Sequence, residues 1–282
     1  MSMMISTPNN HGFKPRKSLG QNFLVDDRAV KKMLDAADIS KADAVLEIGP
    51  GAGVLTMALA QKAGQVIAVE KDPRMVEILR NTFKGIENVE IIEGDALKNF
   101  QFSIFNFQSI FNFQTYKVVA NLPFYIATAV IRQFLEAKNP PSEMTLIVQK
   151  EVAQRICSRP PRMNLLAVSV QIYAQVKIIS YISKGAFRPQ PKVDAAIIQL
   201  KVQSEKFKVG ANERKSFFQI VKAGFSHPRK QLLNNLSSGL SITRKKTAEW
   251  LSKNNINPKQ RAETLSINDW LGLFSSKFKV KS

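Results

Sequence analysis

Residues 44–53 form a short apolar run, Ala44–Ile48, that passes into glycines at positions 49, 51 and 53. An uninterrupted apolar run of this length, closed by a turn signal, marks a strand buried on both faces. Glycines directly behind such a strand allow a sharp turn and a close approach of backbone to a ligand. The pattern then alternates. Val54–Lys62 has helical character, Gln65–Glu70 that of a strand, and residues 73–83 form a helix with proline in its first turn. Residues 88–92, Lys117–Asn121, residues 144–149, residues 165–176 and Ala195–Val202 are further strand candidates. Upstream, residues 26–37 carry Val30, Met33, Leu34 and Ala37 at helical spacing behind acidic Asp26 and Asp27. Strand–helix alternation with continuously apolar strands predicts an α/β fold with a doubly wound, mostly parallel sheet.

The apolar pattern thins near residue 203, and the remainder reads as helical and basic. The expected organisation is a flexible basic tail over residues 1–17, an α/β domain over 18–202 and a small all-helical domain over 203–282, with the boundary in 202–210. Residues 99–114, NFQFSIFNFQSIFNFQ, form an imperfect six-residue repeat. Alternating phenylalanines suit an inserted hairpin or edge extension; an aromatic platform for stacking bases is the sharper alternative.

The chain of 282 residues carries a net charge of +19. A charge of that size costs self-repulsion and points to a polyanionic partner, nucleic acid first and an anionic membrane surface second. The single cysteine, Cys157, excludes an internal disulfide and a cysteine-based metal site, and two distant histidines make a histidine metal cluster or a Ser-His-Asp triad a poor fit. No signal peptide or bilayer-spanning stretch is read from the sequence, so the expectation is a cytoplasmic protein without membrane or metal.

The glycine spacing is informative about the ligand. A dinucleotide fingerprint places its third glycine at position 54; here it is Gly53. That GxGxG spacing suits a nucleoside-type cofactor with no pyrophosphate to cradle, although a packing turn has the same form. Glu70 ends the second strand, where a carboxylate can accept both ribose hydroxyls. Asp95, in the GDAL stretch after the third strand, can receive an adenine amine. Gly49, Gly51, Glu70 and Asp95 together point to S-adenosylmethionine rather than NAD. Residues 17–24, KSLGQNFL, precede the first helix and can fold over this site.

Asn121-Leu122-Pro123-Phe124 supplies the other half. An adenine amine is a poor nucleophile because its lone pair is delocalised into the ring. The Asn121 side-chain oxygen and the Leu122 carbonyl can accept its hydrogens and favour a tetrahedral nitrogen, so catalysis is positioning and electrostatics rather than strong base. Phe124 can stack on the base, Pro123 stiffens the turn, and Phe187, in the proline-rich loop 185–194, is the candidate for the opposite stacking face. Arg188 and Lys192 are placed for phosphates.

In combination, KSLGQNFL at 17–24, EIGPGAG at 47–53, Glu70, GDAL at 94–97, NLPF at 121–124, QKEVAQRI at 149–156 and FRPQPKVDA at 187–195 resemble the ribosomal RNA adenine N6-dimethyltransferases, in family order and over nearly the whole chain. The resemblance implies a Rossmann-like class I S-adenosylmethionine-dependent methyltransferase. It implies cofactor contacts by Asn22, Leu24, Gly49, Glu70, Asp95 and Asn121, and target-base contacts by Asn121, Leu122, Phe124 and Phe187. KSLGQNFLVD and PKVDA look like the housekeeping branch, which dimethylates two adjacent adenosines in a loop near the 3′ end of small-subunit (16S) rRNA in the 30S particle. The runs around Arg229-Lys230 and Arg244-Lys245-Lys246 fit that branch's RNA-docking helices. A monomer is expected. Two features depart from the family: Phe124 stands where tyrosine is common, and the Phe-rich insert is not usual. The macrolide-resistance branch acting on large-subunit RNA, and a non-catalytic RNA-binding assembly factor, are the alternatives.

Overall fold

The computed structural model describes residue 16 and residues 20–97, 115–203 and 211–276. The basic tail, apart from Arg16, and the Phe-rich repeat lie outside the described residues. The chain divides into two compact units, one of residues 1–153 with 175–202, the other of residues 154–174 with 203–282.

In the first unit, β1 (Phe23–Leu24) leads into α1 (Asp27–Ala37), then β2 (Ala44–Ile48), α2 (Val54–Lys62), β3 (Gln65–Glu70), α3 (Pro73–Thr82), β4 (Val89–Glu93), β5 (Lys117–Asn121), α4 (Ala127–Leu135), β6 (Glu143–Gln149) and α5 (Lys150–Ile156). After α6 (Leu165–Gln171) come β7 (Ala174–Ile182), a 3-10 turn, β8 (Phe187–Arg188) and β9 (Ala195–Val202). The seven-stranded sheet has the order β4-β3-β2-β5-β6-β9-β7. The pairings β4–β3, β3–β2, β2–β5 and β5–β6 are parallel. Only β9 runs antiparallel to β6 among these neighbours, from Glu143↔Lys201 to Gln149↔Ala195. The order reverses between β2 and β5, so a crevice opens beyond their carboxyl ends, where α/β sheets bind ligands.

The sequence accounts for this layering. β2 is buried at every position and β3 at all but its first, as strands covered by helices on both faces must be. The helix starts are capped: Asp26 accepts from the Arg28 N–H, and Asp72 from the Arg74 N–H ahead of Pro73. A separate two-stranded ribbon pairs β1 with β8, setting Phe23 opposite Arg188 and Leu24 opposite Phe187.

One expectation is overturned. Residues 165–176 do not form one strand; Leu165–Gln171 is helical, and the strand begins at Ala174. An unbroken apolar run is compatible with either form. The Asn164 side chain decides locally by accepting from the Ala167 N–H, which caps a helix start.

The second unit holds α6, α7 (Ala211–Gly224), α8 (Leu232–Gly239), α9 (Arg244–Lys253) and α10 (Ile267–Ser275). Phe217, Ile220, Leu232, Leu236, Leu251, Trp270 and Leu273 are fully buried. Asn235 is buried with them, and its Nδ2 donates to the carbonyls of Gly224 (2.7 Å) and His227 (3.0 Å), so the amide joins two segments without an orphaned donor. Residues 154–174 belong here through contacts such as the Met163 N–H donating to the Glu263 carbonyl at 2.9 Å. The helical unit thus takes in a segment that the sequence assigns to the α/β domain.

Candidate active site

The carboxyl ends of β2, β3, β4 and β5 open into one cavity. Its wall includes Gly49 and Gly51, Glu70 and Lys71, Asp95, and Asn121 to Ile126. Residues 20–24 close one side. Each wall segment follows a parallel strand, so the adjacent strands bring positions far apart in sequence to one rim.

Gly51 has φ +56°, and a Cβ there would stand 2.8 Å from Cδ1 of Phe23. Gly53 has φ +79° and heads α2; its Cβ would meet the Phe83 ring at 2.9 Å. Both positions therefore exclude side chains twice over, by dihedral and by space. The result is a backbone cradle at the floor of the cleft.

Glu70 is pinned rather than mobile. Its Oε1 accepts from the Lys71 and Asp72 N–H groups, both at 2.8 Å, and its Oε2 accepts from Gly51 N–H at 3.4 Å. Burial pushes its pKa up, opposed by those backbone donors. Asp95 pairs with the Lys71 ammonium at 2.9 Å, and its other oxygen accepts from Leu97 N–H at 2.9 Å. Glu47 lies deeper, 1 % exposed, with Oε2 buried and lacking a hydrogen-bond partner. Burial pushes its pKa up to about 8, with the nearby Thr56 side chain opposing the shift.

The segment Gly20–Leu24 is strapped across the site by side-chain bonds. Gln21 Nε2 donates to Asp72 Oδ2 at 3.1 Å, and Asn22 Nδ2 to the Gly20 carbonyl at 3.1 Å. Asn121 Nδ2 donates to the Asn22 carbonyl at 3.1 Å. A carbonyl can be met only by the amide's NH₂ end, so this bond fixes which end of Asn121 is which and leaves Oδ1 as the acceptor end. Arg74 sits on Asp72 at 2.6 Å and holds that carboxyl below its usual range.

Asn22, Leu24, Gly49, Gly51, Glu70, Asp95, Asn121, Leu122 and Phe124 all line this cavity. Phe187 does not. It is completely buried, packed among Leu24, Ile182 and Ala195, and meets Phe124 edge-on with centroids 6.5 Å apart. In this structure Phe187 lies in the core rather than on the cavity wall, opposite Leu24 in the β1–β8 ribbon and edge-on to Phe124. Arg188 and Lys192 are exposed on the same loop; Arg229 and Lys230 are exposed in the second unit. The cavity residues that the sequence did not single out as site residues include Glu47, Lys71 and Tyr125. Glu47 had a signal, a lone charge inside an otherwise apolar strand; Lys71 and Tyr125 had none beyond adjacency to Glu70 and Phe124.

The residues fit a nucleoside cofactor with a cationic end. Glu70 offers a fixed carboxylate for a ribose diol, Asp95 an acceptor for an exocyclic amine, and the unpartnered Glu47 oxygen a buried acceptor beneath the glycine cradle. Among the described residues no group of three or more His, Cys, Asp or Glu side chains is arranged to hold a metal ion, and no helix is long and apolar enough to cross a membrane.

Fold and site together define an S-adenosylmethionine-dependent methyltransferase of the Rossmann-like class. Residues 12–279 match the family model described as ribosomal RNA adenine dimethylase, and the chain belongs to that family. It is 44% identical over 257 residues to a ribosomal RNA small subunit methyltransferase A of Dehalococcoides mccartyi (strain ATCC BAA-2100 / JCM 16839 / KCTC 5957 / BAV1), covering 91% of this chain and 86% of that one. Among solved structures it is similar to the 23S rRNA methyltransferase ErmE, with TM-score 0.72 and 25% identity over 90% of this chain and 99% of the other. A dimethyladenosine transferase from Plasmodium falciparum also has TM-score 0.72, with 26% identity over 89% of this chain and 95% of its own.

Proposed function

We propose that this enzyme transfers methyl groups to the N6 amines of two adjacent adenosines in a loop near the 3′ end of small-subunit rRNA within the 30S particle, giving N6,N6-dimethyladenosines, and that it works as a monomer in the cytoplasm. The observation that carries the reading is the locked Asn121 amide, whose acceptor end is fixed beside the Leu122-Pro123-Phe124 turn and over the glycine cradle.

When bound, S-adenosylmethionine supplies an electrophilic methyl on a sulfonium that leaves as a neutral thioether. The chain's own groups do the rest. Glu70 and Asp95 orient the nucleoside end. Asn121 Oδ1 and the Leu122 carbonyl accept the N–H bonds of the target amine, which localises its lone pair toward the methyl. The proton released on methylation passes to water. Phe124, braced by Phe187, offers a face to the base. Arg188 and Lys192 engage phosphates near the cleft, and Arg229 and Lys230 dock RNA from the helical unit.

Relatives at 39–44% identity over most of the chain that are named ribosomal RNA small subunit methyltransferase A support the small-subunit substrate. The decisive experiment supplies labelled cofactor with under-methylated 30S particles and, separately, with 50S particles or naked large-subunit RNA. Label in dimethyladenosine on 30S alone is the expected result. Label on large-subunit RNA alone would assign the resistance-type activity instead, and cofactor binding without label on any RNA would assign an assembly role.

A further inference from the structure

Tyr125 is a large, exposed aromatic side chain on the cavity wall, 59% accessible, directly after the Phe124 that faces the same space. Its ring is not loose. A Cβ built on Gly20 would lie 3.0 Å from Tyr125 Cδ1 and 3.1 Å from Cε1, with the Pro123 Cβ at 3.7 Å. Gly20, at φ +60°, therefore gives the ring a seat that no side chain could share. Lys71, whose ammonium pairs with Asp95, is within electrostatic reach of the same side chain. A seated aromatic face on the same cavity wall as a cation, in a chain of net charge +19, is the chemistry that captures an unpaired nucleobase and its phosphate.

We infer that Tyr125 is a base-stacking residue for the RNA, holding the nucleotide next to the one whose amine enters the cavity. This rests on the proposed reaction, and it deepens it. Phe187 is buried and cannot supply an open face, so a base passing Phe124 meets Tyr125 at the rim. Stacking on one side of the target fixes the backbone on that side, which is what two successive modifications of neighbouring bases require. The competing role for the ring is packing alone, as a brace for Gly20–Asn22 over the cofactor.

The test compares Tyr125→Phe, Tyr125→Trp, Tyr125→Leu and Tyr125→Ala in the full chain. The readouts are cofactor affinity by calorimetry and binding of a loop RNA carrying 2-aminopurine beside the target adenosine. The Phe and Trp variants are expected to keep RNA affinity within about threefold and to keep the fluorescence quench of a stacked base. The Leu and Ala variants should bind RNA about tenfold more weakly and lose the quench, with cofactor affinity falling by much less than RNA affinity in all four. A Leu variant that matches the parent, or cofactor affinity falling in step with RNA affinity, overturns the inference in favour of packing. Neither readout needs methyl transfer. A parent protein that labels no RNA therefore defeats the proposed reaction, while the quench comparison still decides Tyr125.

Discussion

Asn121 and Asn22 are joined by a 3.1 Å hydrogen bond from the Asn121 side chain to the Asn22 main-chain carbonyl, across 99 positions of sequence. The bond does two things at once. It orients the Asn121 amide, and it anchors the segment that walls the cavity. The direction of the amide and the position of one cavity wall are thereby set by a single contact.

Replacing Asn121 with alanine removes the acceptor and the anchor together. Methyl transfer should fall by at least about 10²–10³-fold, while RNA affinity stays within about threefold. Asn121→Asp is also expected to fail, because a carboxylate beside the Asn22 carbonyl repels it and Gly20–Leu24 loses a tie. Single-turnover labelling and filter binding measure both; full activity in the alanine variant would sink the acceptor role.

Glu70 spends its two oxygens on three backbone N–H groups before any ligand arrives. Glu70→Ala leaves those donors without a partner and removes the ribose acceptor. Cofactor affinity should drop about 100-fold, roughly 2.7 kcal/mol, as read by calorimetry. An unchanged affinity would place the ribose elsewhere.

At Gly51, alanine would have to adopt φ +56° and would press on Phe23 at 2.8 Å. The backbone strain alone is about 1–2 kcal/mol. Gly51→Ala is expected to lower the melting temperature by a few degrees and to abolish measurable cofactor binding. Adding Phe23→Ala relieves the clash but not the dihedral, so the double variant should remain impaired.

Glu47 sets a pH dependence for the cofactor-free protein. Its carboxyl has an ordinary value of 4.5 and is raised to about 8 by burial. Between those values the folded state keeps a proton that the unfolded state has released. Stability therefore falls as pH rises from about 4.5 to 8 and is level above it, a loss on the order of 5 kcal/mol across the window. Glu47→Gln removes the titration. Its melting temperature relative to the parent should rise steadily from pH 5 to pH 8; a constant difference would mean the carboxyl is ionised in the folded protein.

The much larger cation count, 41 Lys and Arg against 22 Asp and Glu, predicts many phosphate contacts. RNA affinity should fall linearly on a log–log plot against salt, with a slope set by the number of phosphates neutralised. A flat response would contradict the electrostatic reading.

Legibility followed physical cause. The ends of β2, β3, β5 and β9 agree with their apolar runs, because a strand buried on both faces reads as a near-continuous apolar run. Residues 165–176 were not legible, since an apolar run without period suits helix or strand and only packing arbitrates. The cavity lining was readable wherever chemistry demanded a residue type after a strand, as with Glu70, Asp95 and Asn121. Phe187 was not, because an aromatic in a loop carries no sign of which way its ring will turn.

The sequence alone determined the alternation of strands and helices, the glycine cradle, the strand-end acids and the amide turn, all of which follow from local periodicity and residue chemistry. Tertiary structure decided the rest. The register of β1 on β8 sent Phe187 inward. The strap of Gln21 to Asp72 and of Asn22 to Asn121 gave the amide its orientation. The burial of Glu47 raised its pKa, and the seat at Gly20 set Tyr125 at the rim. These depend on which distant segments share space, and no local pattern encodes that.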